Sequence, residues 1–255
     1  MNLILAAHGT RRPGGVAMIG DLGAQVSTLL DRTVRVAFVD VLGPTPSEVL
    51  SQIPEGQRGR RAIVVPAFLS RGYHVRTDLP AHVAASAHSN VVVTPALGPS
   101  GQIARIVFYQ LMKSGWRPGD SVILGAAGTS DHRARADLHT TATLLSALTG
   151  SRVSLGFAAT GAPHVHEAVL AARRDGARRV AVASYLLADG LFQQRLHTCD
   201  ADLVSQPLGT HPGLARLIAN RFRRAVPHPS QRSHLKSKSV EHKALHARRA
   251  DARNA

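Results

Sequence analysis

A chain of 255 residues with 44% hydrophobic residues can bury a substantial core, and its apolar runs are far shorter than the roughly 20 residues that cross a bilayer. Cys199 is the single cysteine, which excludes an internal disulfide and an all-cysteine metal site within one chain; because the N-terminal residues also lack the pattern of a secretory leader, we expect a cytoplasmic protein without membrane association. The formal net charge is +15, of which the residues from Pro227 onward (seven Lys/Arg, two acids) contribute +5 and the preceding body +10, and this basic body favours acidic small molecules while leaving nucleic acid open.

The first half of the chain alternates short β-branched runs with segments of helical character. The runs LILAA, VRVAFV, AIVVPAF and VVVT begin at residues 3, 34, 62 and 91. They show little polar alternation, which is typical of the strands of a buried parallel sheet. Between and after these strands, helices are predicted over residues 15–30, 46–53, 76–88 and 102–113. Pro46 suits the first turn of its helix, because a proline there leaves no N–H without a partner.

The second half of the chain repeats this pattern. His8-Gly9-Thr10 aligns with Ala127-Gly128-Thr129 at an offset of 119 residues, and the same offset aligns the segment from Val34 with the segment from Val153. Two further blocks match in the same order, the third at an offset of 118 and the last at a shorter one. We therefore predict an α/β fold of two tandem lobes at 1–117 and 118–225, each an open parallel sheet of about four strands flanked by helices. The residues 226–255 have too few apolar side chains to pack and are predicted to form a disordered basic tail.

Three ionisable residues of the first copy have no counterpart in the second: the aligned pairs are His8 and Ala127, Asp40 and Ala159, and His74 and Phe192. Each lost group lies at or just beyond the end of a predicted strand, the edge where open α/β sheets bind ligands. Two imidazoles and a carboxylate at this edge can bind a divalent transition metal such as zinc, iron, cobalt or nickel. They can equally accept and relay protons. This asymmetry predicts one functional site, in the first lobe, with the second lobe as its opposite wall.

Other residues recur in both copies and are expected to hold the fold. Phe38, Pro44 and Glu48 return as Phe157, Pro163 and Glu167. Glu48 falls in the first turn of its predicted helix, where a carboxylate interacts favourably with the helix dipole. Gly9 and Thr10 also recur, so we assign them to the turn and not to the chemistry of the site.

These motifs resemble those of the sirohydrochlorin chelatases, the cobalt- or ferrochelatases of cobalamin and siroheme synthesis. The matching segments are LILAAHGTRR, VPAFLSRGYHVRTDLP and ALGPS, and the resemblance covers residues 1–225. The family implies two class II chelatase-like lobes and an open cleft for an octacarboxylate tetrapyrrole. It also implies that a divalent metal is a substrate, Co²⁺ or Fe²⁺ with Ni²⁺ as a further candidate, and that no organic cofactor is needed.

The resemblance assigns metal binding to His8 and His74. Asp40 stands where the family commonly has a glutamate; its side chain is one methylene shorter, and it is a candidate proton acceptor. Arg11, Arg71 and Arg76 lie near these residues in the sequence and are predicted to pair with carboxylates of the substrate. We expect a monomer in which the two lobes form a pseudo-dimer, with a homo-oligomer as the alternative.

Three other functions are compatible with parts of the sequence. A histidine phosphatase also ends a strand in His-Gly, but an arginine precedes its histidine, whereas Ala7 precedes His8 here. A carrier that holds a metal or tetrapyrrole without inserting the metal differs from a chelatase mainly in needing no proton acceptor such as Asp40. A nucleic-acid binder would explain the charge, but the sequence has neither interleaved aromatic residues nor a recognition motif, so no specific nucleic-acid partner is expected.

Overall fold

The structure of the chain, a computed structural model, describes residues 1–226. The tail predicted at 226–255 therefore lies outside the described residues, except for Val226. Residues Met1–Phe222 form one compact unit that contains two parallel sheets, and the described residues beyond Phe222 belong to a second unit.

The first sheet has four parallel strands, and helical segments follow each of them. Its strands are β1 (Asn2–Ala7), β2 (Val34–Phe38), β3 (Ala62–Pro66) and β4 (Val91–Val93), in the spatial order β2-β1-β3-β4. Its helices are α1 (Pro13–Leu30), α2 (Pro46–Ser51), α3 (Glu55–Arg58), α4 (Leu79–Ala85) and α5 (Gly101–Lys113), with a π-helical turn at His74–Asp78.

The second sheet repeats this arrangement. Its strands are β5 (Ser121–Gly128), β6 (Val153–Thr160), β7 (Val180–Tyr185) and β8 (Leu203–Val204), in the order β6-β5-β7-β8. Its helices are α6 (His132–Thr149), α7 (Val165–Arg174), α8 (Leu191–His197) and α9 (Pro212–Ala225). The predicted fold of two lobes, each an open four-stranded parallel sheet flanked by helices, is confirmed.

The central strands are buried along their length. In β1, the residues from Ile4 to Ala7 have no exposed surface, and in β3 the same holds from Ala62 to Val65. Helices that cover both faces of a parallel sheet leave no side for polar residues, which explains the missing alternation in the sequence. The repeat extends to the strand register, since Ala7 pairs with Phe38 in the first sheet and Ala126 with Phe157 in the second.

Residues that recur in both copies make the same structural contacts. The Phe38 N–H donates to the carbonyl of Pro44 at 2.9 Å, and the Phe157 N–H donates to that of Pro163 at 3.0 Å. Glu48 and Glu167 each accept a hydrogen bond of 2.7 Å from the backbone N–H that precedes their helix, on Thr45 and His164. These retained side chains close helix N-termini, where backbone N–H groups have no partner within the helix.

The helix predicted over 76–88 differs from the structure. Residues His74–Asp78 form a π-helical turn, in which the Leu79 N–H bonds to the carbonyl of His74, and α4 begins at Leu79. The α-helix begins this late because Pro80 has no N–H to donate and is tolerated only in the first turn of a helix. The other three predicted helices agree with α1, α2 and α5 to within two residues at each end.

Candidate metal centre

The three residues that are absent from the second copy come together in the structure. His8 follows β1, Asp40 lies two residues after β2, and His74 begins the π-helical turn after β3. Since β2, β1 and β3 are neighbours in a parallel sheet, their carboxyl ends meet at one edge. One potential ligand atom of each residue lies within 4.8 Å of those of the others, and within residues 1–226 this is the one such group of His, Cys, Asp or Glu side chains.

The two imidazole rings are oriented by acceptors at their Nδ1 atoms. In His8, Nδ1 lies 2.6 Å from the carbonyl oxygen of Gly9, and in His74 it lies 2.6 Å from Oδ2 of Asp78. A carbonyl or carboxylate oxygen can only accept, so both rings carry their proton on Nδ1 and keep the lone pair of Nε2 for a metal. The ring centroids are 4.7 Å apart.

Asp78 is a site residue that the sequence analysis missed. It stands four residues after His74, a spacing that places two side chains on the same face of a helical segment. The signal was therefore present in the sequence, but it is meaningful only if residues 74–78 are helical, and the helix was predicted to begin at residue 76.

The loop that carries Asp40 is held by its own backbone and by a second histidine. The Val41 N–H donates to Oδ1 of Asp40 at 2.6 Å, while Oδ2 lies 3.8 Å from Nε2 of His8. Nε2 of His82 donates to the carbonyl of Val39 at 3.1 Å. Val41 has a φ of 70°, a left-handed conformation that is unusual for a β-branched residue. Such strain is typical of functional loops, where the surrounding contacts impose the conformation.

Gly9 allows the loops after β1 and β2 to approach closely. A Cβ atom at this position would lie 2.1 Å from the carbonyl oxygen of Asp40. In the second lobe, a Cβ on Gly128 would lie 2.0 Å from the carbonyl oxygen of Thr160. The glycine therefore serves the same backbone contact in both lobes, although only one of them has the histidine.

The site is open to solvent. The side chains of His8 and Asp40 are 48% and 51% exposed, and that of His74 is 32% exposed. An ion held there by three side chains would keep several coordination positions for water, because the protein ligands come from one side only. The geometry suits a metal that exchanges readily more than a structural ion in a closed cage.

The three predicted substrate-binding arginines have different surroundings. Arg11 is exposed and makes no hydrogen bond or ion pair with any residue between 1 and 226. Arg76 donates to Oδ2 of Asp131 at 3.0 Å. Arg71 donates through Nε to both carboxylate oxygens of Asp137 at 3.1 and 3.0 Å, and this hydrogen bonding raises the pKa of Arg71 above its ordinary value.

These contacts correct the prediction for Arg71. Its carboxylate partner is supplied by the second lobe of the protein itself, so the guanidinium is already engaged in a bidentate pair. Proximity in the sequence could not reveal this, because Asp137 is 66 residues away. Arg11 is the one member of the set whose donors have no partner among the described residues.

No helix within residues 1–226 combines the length and the apolar content that a bilayer-spanning segment requires.

Comparison with known proteins identifies close counterparts of the whole two-lobed region. The family model described as CbiX matches residues 2–114 and 121–225. The sirohydrochlorin ferrochelatase of Priestia megaterium is 24% identical over 237 residues, which cover 87% of this chain and 89% of that protein. The sirohydrochlorin cobaltochelatase of Methanopyrus kandleri is 30% identical over 79 residues, 31% of this chain and 54% of that protein.

Among solved structures, SirB from Bacillus subtilis with Fe³⁺ has a TM-score of 0.74 at 19% sequence identity. The match covers 88% of this chain and 95% of the Bacillus chain. At this level of identity, the likeness shows that the two proteins share their fold, including both lobes.

Proposed function

Since the chain belongs to the CbiX family, we propose that it is a sirohydrochlorin chelatase, a lyase-type enzyme that inserts Co²⁺ or Fe²⁺ into sirohydrochlorin in the synthesis of cobalamin or siroheme. The observation that carries the proposal is the convergence of His8, Asp40 and His74, whose ligand atoms lie within 4.8 Å of one another at the edge of one sheet. The relatives named ferrochelatase and cobaltochelatase support the substrate class, and they leave the choice between the two metals to experiment.

In this proposal the metal is a substrate, and it must both bind and leave. The Nε2 atoms of His8 and His74 hold the ion, because their Nδ1 atoms are engaged by Gly9 and Asp78. Neutral imidazole accepts either proposed metal. An exposed site with three ligands releases an ion more readily than a closed site with four, which favours transfer to the tetrapyrrole.

Insertion also requires an acceptor for protons. When one M²⁺ enters the ring, two pyrrole N–H protons leave, and the charge of the tetrapyrrole core is unchanged. The carboxylate of Asp40 lies 3.8 Å from Nε2 of His8 and is half exposed, so it is the candidate to accept a proton and pass it to water. An imidazole that has released its metal can accept the other proton through the freed Nε2.

The acidic substrate matches the charge of the protein. Arg11 lies three residues from His8 and has donors without a partner among residues 1–226, so we assign it to a substrate carboxylate. Arg76 is 43% exposed although it is paired with Asp131, and it remains a second candidate. We also propose a cytoplasmic monomer, in which the second lobe takes the place of a second subunit; gel filtration with light scattering tests the oligomeric state.

The decisive experiment follows the chlorin absorbance of sirohydrochlorin with Co²⁺, Fe²⁺ or Ni²⁺ in turn, with and without the purified full-length chain. His8→Ala and His74→Ala are expected to lower the catalysed rate by about 10²-fold or more, because each removes a ligand or proton acceptor. His166→Ala is the matched control, since this exposed imidazole in the second lobe also lies beside a carboxylate, Asp200, at 3.3 Å. Wild-type rates in both site variants, or no metal inserted faster than in buffer, would show the proposal to be wrong.

A further inference from the structure

The loop between β3 and the π-helical turn makes its polar contacts with the second lobe. The carbonyl oxygen of Leu69 accepts a hydrogen bond of 2.8 Å from the hydroxyl of Tyr185. The backbone N–H of Arg71 donates to Oδ2 of Asp137 at 2.8 Å, and its guanidinium forms a bidentate pair with the same carboxylate. His74 follows Arg71 by three residues, so both anchors lie immediately before a candidate metal ligand.

Both anchors are buried inside the second lobe. The side chain of Asp137 is 1% exposed although it belongs to a helix, α6, and Tyr185 is buried at the end of β7. Burial raises the pKa of Tyr185, which keeps its hydroxyl protonated as a donor. Oγ1 of Thr141 lies 3.2 Å from that hydroxyl and links the two anchoring elements. A buried carboxylate needs charged or N–H partners to offset its desolvation, and every partner found for the carboxylate of Asp137 belongs to Arg71.

The repeat shows that these anchors occur on one side only. Two other bonds between the lobes are counterparts of each other, because Arg12 and Gln194 occupy the positions of Asp131 and Arg76 in the alignment, and both pairs bond at 3.0 Å. In contrast, Arg71, Asp137 and Tyr185 align with Asp189, Met18 and Ala67, which cannot form the same pair or the same hydroxyl bond.

The aligned carbonyl groups differ in the same way. Leu187 is the counterpart of Leu69, and its carbonyl oxygen accepts from the N–H of Gly209 within its own lobe at 2.8 Å. The carbonyl of Leu69 accepts from Tyr185 across the interface instead. A Cβ on Gly98, the counterpart of Gly209, would lie 2.3 Å from the oxygen of Leu69 and 2.6 Å from that of Tyr185, so the contact is closely packed.

We infer that Asp137 and Tyr185 are positioning residues for His74: the lobe without metal ligands holds the loop that carries the third ligand of the other lobe. His8 and Asp40 are placed by β1 and β2 of the first sheet, whereas the loop before His74 is irregular and gains its fixed position from across the interface. A shift of this loop moves His74 relative to the other two ligands. The inference rests on the proposed function, because it concerns the same metal site.

The test measures the Kd for Co²⁺ by titration of the full-length chain, with the visible absorption spectrum of the bound ion as the signal. Asp137→Ala is expected to raise the Kd about tenfold and to alter the spectrum, the lower end of the effect of losing a group that orients a metal ligand. Asp137→Asn, which keeps one oxygen acceptor for the Arg71 N–H, is expected to give an intermediate Kd. Tyr185→Phe removes a single hydroxyl and is expected to raise the Kd about threefold.

Asp120→Ala is the matched control for loss of stability. Asp120 is also a buried carboxylate of the second lobe, it accepts from Arg179 at 3.1 Å and from the Arg117 N–H at 2.9 Å, and it precedes β5 at the opposite end of the sheet. Its replacement is expected to lower the Tm as Asp137→Ala does and to leave the Kd for Co²⁺ and the spectrum unchanged. All titrations are made well below the lowest Tm, so that every variant is folded.

The outcomes separate this inference from the function on which it rests. If His74→Ala binds Co²⁺ as the wild type does, the proposed metal site is wrong and the anchoring role is wrong with it. If His74→Ala loses affinity while Asp137→Ala and Tyr185→Phe keep the Kd and spectrum of the Asp120→Ala control, the metal site stands and the positioning role is overturned. Should Asp137→Ala fail to fold, Tyr185→Phe decides the matter alone.

Discussion

Replacing Gly9 by alanine is expected to disable the candidate metal centre while the fold persists. The added Cβ would lie 2.1 Å from the carbonyl oxygen of Asp40 and 3.1 Å from the N–H nitrogen of Leu42, and the first distance is far below the 3.0 Å that such contacts keep. Both neighbours are backbone atoms, which no side-chain rotation can move away. The loops after β1 and β2 must therefore separate by about 1 Å, the difference between these two distances.

This separation acts directly on the site, because His8 and Asp40 lie on the two loops that are pushed apart. A displacement of about 1 Å between reacting groups can cost about 10²-fold in rate, so we expect the metal-insertion rate of Gly9→Ala to fall by this factor. The overpacking itself is expected to cost about 1–3 kcal/mol of unfolding free energy, below the roughly 5–15 kcal/mol of a typical domain. The variant should therefore fold and lose function.

Gly128→Ala provides the matched control in the second lobe. Its Cβ would meet the carbonyl oxygen of Thr160 at 2.0 Å, and its φ of 110° adds strain for any L side chain, so its loss of Tm should equal or exceed that of Gly9→Ala. The insertion rate and the Kd for Co²⁺ are nevertheless expected to stay close to those of the wild type. If Gly9→Ala lowers the Tm but keeps the wild-type rate and Kd, the spacing of His8 and Asp40 does not control the chemistry.

Three further outcomes are expected. Asp78→Asn should weaken Co²⁺ binding by about tenfold in the same titration, because the carboxylate that orients His74 is lost, and an unchanged Kd would contradict the role of this hydrogen bond. The thiol of Cys199 is buried, and burial raises its pKa, so its labelling by Ellman's reagent near pH 8 should be at least about 10³-fold slower in the native protein than in urea; equal rates would contradict the burial. The N–H of Arg133 lowers the pKa of Asp131 below 3.8, so this carboxylate contributes stability above that value and loses it as the pH falls towards its folded pKa; Asp131→Asn should therefore flatten the acid side of the Tm-against-pH curve, and parallel curves would refute the assignment.

The three central residues of the candidate site could be predicted because the chain contains its own comparison. In a single copy, a histidine at the end of a strand is as well explained by a structural role as by a chemical one. The second copy separates the two, since it keeps residues such as Glu48 and Gly9 that serve the backbone and lacks His8 and His74. The parallel order of the strands then brings the remaining groups to one edge.

The contacts between the lobes could not be predicted in the same way. Asp137 does carry a signal, because it shares a face of α6 with the buried residues Ala134, Leu138 and Thr141, and a carboxylate in such a position needs a partner. The sequence does not tell which cation that partner is, since the answer depends on how two separately folded sheets pack. Arg71 was therefore assigned to the substrate, although its guanidinium completes an ion pair inside the protein.

A fused pair of lobes can use contacts that a symmetric dimer of single lobes cannot use independently. In a dimer with two-fold symmetry, any substitution on one side of the interface also appears on the other, so an aspartate that anchors one loop would be installed twice. Here the position that is Asp137 in the second lobe is Met18 in the first, and the position of Arg71 is Asp189 in the second. Once the second lobe has no ligands to place, its interface residues are free to hold the loop of His74. The loss of three ligands from one copy and the one-sided anchoring of the other are then two consequences of the same asymmetry, and a tenfold effect of Asp137→Ala on Co²⁺ binding would tie them together experimentally.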